Sequence, residues 1–267
     1  RGGFRRQCYW RGAEERAVRR HCRLTTGHHH SRVIPMCAMN PRLLRPLASG
    51  FNPKSIDGLD AWWDAADSAT ITTVSGAVSQ WDDKSGNGRN ATQTVANNRP
   101  TLTTLAGKTA LSFNGSNSAL QAYSTALSGA TFFCVANCTT SGNFPGGRAL
   151  LASNTTNAPL IWIENGLFEF VVWGQNTTGP TATDGTTNVL SATNTGTVRN
   201  MWVNGAGNVS VTQNQSIAAT LSIGVATNTQ YFLGAIGEII IYDRVLSALE
   251  RQSVERYLGR KFGVTVA

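Results

Sequence analysis

Trp162, Glu169 and Trp173 bracket the dipeptide Asn165-Gly166. Asn-Gly is the strongest two-residue hairpin signal, because a type I′ turn needs positive φ at both central positions. A hairpin centred there pairs Ile163 with Phe168, Ile161 with Phe170, and Trp162 with Glu169. The first four residues make an apolar face; the opposite face carries Trp162, Glu169, Val171 and Trp173. Aromatic plates beside a carboxylate are what sugar recognition uses: the ring packs on the apolar face of a pyranose and the carboxylate takes its hydroxyls. Trp162, Glu169 and Trp173 are therefore the candidate glycan-binding residues. The competing reading makes both tryptophans core and Glu169 an edge marker.

Four aspartates form a second candidate site. Asp64, Asp67, Asp82 and Asp83 could supply hard oxygen ligands to Ca²⁺. The alternative is turn chemistry, in which Asp side chains accept local backbone N–H groups beside Ser85-Gly86-Asn87-Gly88.

Catalytic constellations are harder to assemble. Retaining glycoside hydrolysis needs two carboxyl groups about 5–5.5 Å apart. No run like the Glu-x-Asp-x-x-Glu signature of laminarinase-like enzymes occurs, and Glu164 and Glu169 flank a turn. All four histidines (His21, His28, His29, His30) precede residue 50, so the body cannot form a Ser–His–Asp triad. No Gly-rich phosphate loop opens a helix. No catalytic residue is assigned, and a non-enzymatic protein is expected.

The elements that must position these residues are strands. Charged residues make up 14% of the chain, and Gly, Thr, Asn, Ser and Ala are abundant, which suits sheets joined by turns. Turn signals recur at Asn114-Gly115, Asp184-Gly185 and Asn204-Gly205, with short apolar runs between them, and predict a sandwich. One helix is predicted, at the end. Ser247 and Glu250 make a capping box. Leu249, Val254, Tyr257, Leu258 and Phe262 can form one apolar stripe. Arg260 and Lys261 suit the C-terminal dipole, and Gly263 a left-handed stop.

Charge divides the chain. Residues 1–50 hold eleven Arg against Glu14 and Glu15; residues 51–267 hold twelve Lys/Arg against thirteen Asp/Glu. A near-neutral body argues against nucleic-acid binding by the core. Residues 1–38 read either as sequence upstream of a start at Met36 or Met39, or as a basic, extended arm. Residues 39–55, with Pro41, Pro46 and Pro53, read as a linker or docking strap. Residues 56–267 are the expected domain. Cys134 and Cys138, four apart in one strand, would lie roughly 13 Å apart, too far to bridge. No apolar run of about 18 residues predicts a membrane span, and the arginine-rich start lacks the apolar stretch of a secretory signal.

Four segments, in order, resemble a known family. They are Trp62-Trp63-Asp64; Trp81-Asp82-Asp83-Lys84-Ser85-Gly86-Asn87-Gly88; Leu111-Ser112-Phe113-Asn114-Gly115-Ser116; and Gly237-Glu238-Ile239-Ile240-Ile241-Tyr242-Asp243-Arg244 with the helix after it. Together they resemble a LamG-like, concanavalin A-like jelly roll. The resemblance implies an all-β fold: an antiparallel β-sandwich with one C-terminal α-helix. Members occur in bacteriophage virion and tail proteins, secreted bacterial proteins and adhesins; many are implicated in binding glycans or proteins, and some bind calcium. The segment Arg42–Pro53 resembles leader segments of phage structural proteins. The resemblance thus implies a virion-surface module whose partners are other virion proteins, like subunits or surface glycans. The alternatives are a purely structural capsid or tail decoration protein and a secreted bacterial lectin-like domain.

Overall fold

Glycine-containing turns set the strand rhythm. Asn165 and Gly166 have φ of 50° and 75°, and Asn204 and Gly205 have 52° and 75°, the positive pair that a type I′ hairpin requires. Ser75-Gly76 and Ala106-Gly107 adopt the same conformation; neither dipeptide carries the Asn-Gly signal. The computed structural model describes residues 50–127, 129–139, 148–153, 159–172, 175–212, 217–226 and 229–267. They all lie in one unit, Ser49–Ala267.

The first strands are β1 (Leu59–Asp64), β2 (Ile71–Val74), β3 (Ala77–Trp81), β4 (Ala91–Thr92), β5 (Thr101–Leu105), β6 (Lys108–Asn114) and β7 (Leu120–Leu127). Next come β8 (Ala130–Cys138), β9 (Arg148–Ser153), β10 (Pro159–Glu164), β11 (Leu167–Val172), β12 (Gln175–Thr181) and β13 (Thr187–Asn194). The chain ends with β14 (Val198–Val203), β15 (Ala206–Thr212), β16 (Ile217–Ile223), β17 (Val225–Ala226), β18 (Gln230–Tyr231), β19 (Leu233–Tyr242) and helix α1 (Ala248–Phe262).

Two antiparallel layers result. The first runs β15–β14–β13–β8–β19. The far edge of β19 is shared, β1 pairing with Glu238–Tyr242 and β6 with Leu233–Ile236. The second layer runs β7–β16–β9–β10–β11–β12. Short β4 joins the layers, pairing with β3 and with β7. The fold is thus mostly antiparallel β, sandwich-like and nearly closed, with one helix near its end.

Strand β8 is apolar along its length because it is covered on both faces. Phe132, Cys134, Ala136 and Cys138 enter the core between the sheets, with Trp63, Trp81, Phe113, Phe168, Phe170 and Phe232. Phe133 and Val135 enter a second core beneath α1, with Trp62, Ile240, Tyr242, Val254, Leu258 and Phe262. Cys134 and Cys138 are free thiols on that strand.

Ser247 caps α1 by accepting from Glu250 N–H, Glu250 reaches back to Ser247 N–H, and Gly263 closes the helix at φ 66°. The apolar stripe needs one correction. Leu249 is 75% exposed, and its place against the sheet is taken by Arg251 and Glu255. Their ion pair is buried, Arg251 lies 3.9 Å over the Trp202 ring, and Ser191 donates to Glu255. A buried pair with a hydroxyl donor fills a position that periodicity assigns to an aliphatic side chain. Phe51 and Pro53 also belong to the folded unit. The Phe51 ring lies 5.6 Å from that of Tyr257, and Tyr242 donates to the Pro53 carbonyl at 3.0 Å.

Ser247→Ala removes the cap acceptor and should cost about 1 kcal/mol, read as a lower midpoint in urea unfolding with unchanged slope. An unchanged midpoint would mean that the cap contributes nothing to the unit.

Candidate functional site

The four aspartates are absorbed by the fold. Asp64 accepts from Lys84 at 2.9 Å and Lys261 at 2.5 Å. Asp67 pairs with Lys84 at 2.8 Å, and that hydrogen bond holds its carboxyl below the ordinary range. Asp83 accepts from Trp62 N–H at 2.9 Å, Ser85 N–H at 2.8 Å and Arg89 N–H at 3.0 Å. Asp82 accepts from Gln80 at 2.6 Å. Among the described residues no group of three or more His, Cys, Asp or Glu is gathered so as to hold a metal ion. These oxygens meet ammonium groups, the Gln80 amide and backbone N–H groups; the local N–H contacts of Asp64, Asp67 and Asp83 are of the turn type.

Behind them lies a buried charge centre. A β-bulge at Gly237 shifts the register of β19. Ile236 and Ile239 therefore both face the inter-sheet core, and Glu238 turns toward the helix. Glu238 is fully buried. It accepts from Trp62 Nε1 at 2.8 Å, Tyr257 OH at 3.0 Å and Lys261 Nζ at 2.6 Å. Burial, reinforced by the charge of Asp64, raises its carboxyl to about 7 against the pull of Lys261. Every partner is internal, so the centre ties β1, β19 and α1 together. Sequence reading saw Lys261 only as a dipole residue. Its engagement with Asp64, 197 positions away, follows from topology and has no local signal.

The hairpin residues lie elsewhere. Ile161, Ile163, Phe168 and Phe170 face the inter-sheet core. Trp162 and Glu169, directly paired across β10 and β11, occupy the opposite face of the second sheet. There the Trp162 ring packs with Ala149, Ala152 and Ala226. The expectation of an open platform is corrected: Trp162 and Glu169 are each only 5% exposed. Small alanines on β9 and β17 thus pack against the indole. Trp173 and the Val171 side chain lie outside the described residues.

Two polar atoms of this pair remain unmatched. Trp162 Nε1 and Glu169 Oε2 are buried and have no hydrogen-bond partner among the described residues. Burial, and then the charge of Glu164, raises the Glu169 carboxyl from 4.5 to about 7. Glu164 pairs with Leu167 two positions along the hairpin, on the same face as Trp162 and Glu169. Neighbouring rows add Thr178 opposite Glu169, Ala149 opposite Trp162, and Tyr231 opposite Ala149. Tyr231 was not a sequence candidate; it reaches this row only through the single parallel pairing of β18 with β9.

No family model matches the chain, and no curated protein matches it. Solved structures do. One is Domain 4 of AbnA, a GH43 extracellular arabinanase from Geobacillus stearothermophilus, in complex with arabinotriose. Its TM-score is 0.55 at 14% identity, covering 74% of this chain and 97% of that one. Trypanosoma rangeli sialidase, in complex with the inhibitor DANA, gives 0.53 at 15% identity, covering 79% of this chain but only 34% of the sialidase. The binding domain of Paraclostridial Mosquitocidal Protein 1 gives 0.53 at 14% identity, with 74% and 52% covered. At such identities the similarity is one of fold, and it agrees with the β-sandwich described above.

Two predictions follow from the charged groups. Lys261→Met leaves Glu238 and Asp64 without their shared cation and should cost about 3–5 kcal/mol at neutral pH. The loss should shrink as pH falls through about 7, where Glu238 takes up its proton. A urea midpoint unchanged at pH 7 would remove the centre from any structural role. For Glu169 the folded state holds the proton more tightly than the unfolded chain does. Its contribution is full below about pH 4.5 and is lost as pH rises through about 7. Glu169→Gln should therefore flatten the fall in stability between pH 5 and 8, measured by chemical denaturation; parallel pH profiles would contradict the shift.

Proposed function

We propose that the chain is a non-catalytic carbohydrate-binding module whose ligand site lies on the outer face of the second sheet, at Trp162 and Glu169. The observation that carries this reading is the unmatched indole N–H and carboxyl oxygen on directly paired residues. Leaving a buried donor or acceptor unmet costs about 1–3 kcal/mol each. Hydroxyls can meet needs of both kinds, since their oxygen accepts from an indole N–H and their proton goes to a carboxyl oxygen. Sugars present such hydroxyls on a ring whose apolar face suits an aromatic side chain.

The arabinanase domain in complex with arabinotriose supports a sugar as ligand, and the toxin's binding domain supports a role without chemistry. The motifs and leader that resemble phage proteins support a bacteriophage virion surface as its place. There the sandwich would meet glycans of the host surface. A second reading has one observation in its favour: Trp162 and Glu169 are almost fully buried within the chain itself. On that reading the protein is a structural capsid or tail component and Trp162 is core.

A glycan array followed by calorimetric titration separates the two, with arabinotriose as the first probe. The intact chain should bind, and Trp162→Phe, which keeps a ring but removes the N–H, should weaken binding about tenfold or more, about 1.4 kcal/mol, with little change in melting temperature. A chain that binds nothing on the array, with a Trp162→Phe variant that melts several degrees lower, would favour the structural reading. Recovery of the probe uncleaved supports a binding role; hydrolysis would overturn it.

A further inference from the structure

Lys261 is set between two carboxyl groups that the fold keeps from water. Its Nζ lies 2.5 Å from Asp64 Oδ1 and 2.6 Å from Glu238 Oε2; the acid side chains are 6% and 0% exposed, and the lysine 17%. Trp62 Nε1 and Tyr257 OH both donate to the other oxygen of Glu238, Oε1, which leaves Oε2 for the ammonium. Lys84 Nζ holds the second oxygen of Asp64, Oδ2, at 2.9 Å. An amine touching one carboxyl group, with a second carboxyl on the same nitrogen, is an ion pair and also the reactant set for amide formation. We propose that Lys261 and Asp64 join in an isopeptide bond, made by the folded chain itself with Glu238 as proton relay.

The step balances without any co-reactant. Nζ gives one proton to Glu238 Oε2 and attacks Asp64 Cγ. A carbon–oxygen bond adds only about 1.2 Å to the contact at Oδ1, so Cγ lies within about 4 Å of the nitrogen in any orientation, close to the about 3–3.5 Å of a near-attack geometry. Negative charge gathers on Oδ2, where the Lys84 ammonium already stands. Oδ1 then leaves as water with two protons from the former ammonium, one returned by Glu238 and one lost from nitrogen as the amide forms. Ammonium and carboxylate become a neutral amide and one water.

The surroundings favour the reaction in three ways. Burial raises the Glu238 carboxyl to about 7, which suits a group that takes a proton and returns it near neutral pH. Desolvation works against the two ions that the reaction consumes. The fold also holds both groups in contact, and well-oriented intramolecular partners react as if present at about 10⁵–10⁸ M. Lys84 is not the nucleophile. Burial works to lower its ammonium, but hydrogen bonds to Asp67 and Asp64 outweigh it and hold the proton on. The bond ties β1 to α1 and encloses residues 64–261, nearly the whole unit. It forms whether or not a sugar binds at Trp162.

Mass spectrometry of the full chain, folded and incubated at neutral pH and then denatured, tests this. The chain should be lighter than its sequence by one water, and a protease digest should yield a branched peptide joining the segments around Asp64 and Lys261. Lys261→Arg keeps a cation but not the reactive amine and should keep the full mass. Glu238→Gln removes the relay and should slow the loss of water about a hundredfold or more. A wild-type chain of full mass, with Asp64 and Lys261 recovered on separate peptides, would overturn the proposal. So would an equal loss of water in Lys261→Arg, which would place it at a succinimide of Asp57-Gly58 or Asp184-Gly185. A Glu238→Gln chain cross-linked at the wild-type rate would overturn the relay.

Discussion

A single ammonium group closes this fold. Lys261 Nζ lies between Glu238 and Asp64, at 2.6 and 2.5 Å, so the last turn of α1 is fastened to β19 and β1 at once. Asp64 in turn accepts from Lys84, whose ammonium lies 4.5 Å over the Trp62 ring. Asp83, next to Lys84, accepts the backbone N–H of Trp62. Two lysines and three carboxylates therefore hold the first strand, the following turn, the last strand and the helix. Buried ions cost several kcal/mol each to desolvate, and their attraction returns this only when every ion has partners. The bulge at Gly237 is the backbone condition for it. Without the extra residue, Glu238 would share the face of Ile236, in the apolar core. Gly237 also admits the Phe262 ring, which a Cβ would meet at 2.7 Å.

That centre explains why the sandwich was legible from four short segments. Three of them supply its members: Trp62 and Asp64 from the first, Asp83 and Lys84 from the second, Glu238 from the last. Residues that must meet across 176 positions, as Trp62 and Glu238 do, mark a fold better than a strand's hydrophobicity does. The Asn165-Gly166 register was legible for a different reason: a two-residue turn fixes which side chains oppose one another. The roles assigned to Asp64 and Asp67 were not legible. An aspartate next to a glycine turn looks the same whether a cation, an ammonium or an N–H group meets it; Lys84 meets both, and Asp64 is also met by Lys261 from the far end of the chain. The stripe of α1 failed at Leu249 for a related reason. Binary patterning does not foresee that a buried Arg251–Glu255 pair, with Ser191 and Trp202 to receive it, can take the core-facing position.

Burial of Trp162 shows the limit of reading a site from a strand pair. Cross-strand register gave the right neighbours and the right face, since Trp162 does oppose Glu169 on the side away from the core. Packing depends on strands outside the pair: Ala149 and Ala152 on β9, with Ala226 on β17, lie against the indole. Their placement follows from pairings that no turn motif announces.

The two sheets differ in what their outer faces are free to do. The outer face of the first sheet is taken by α1, through Phe133, Val135, Ile240 and Tyr242. Beneath the helix lie the charge centre and the Arg251–Glu255 pair. The second sheet has no helix among the described residues to cover it. Its outer face holds a donor and an acceptor, Trp162 Nε1 and Glu169 Oε2, with no hydrogen-bond partner among the described residues. Glu238 is met by three internal donors, whereas Glu169 Oε2 has no partner among the described residues. The difference follows from strand order: β19 lies between β1 and β8 beneath the helix, whereas β10 and β11 lie on the far layer.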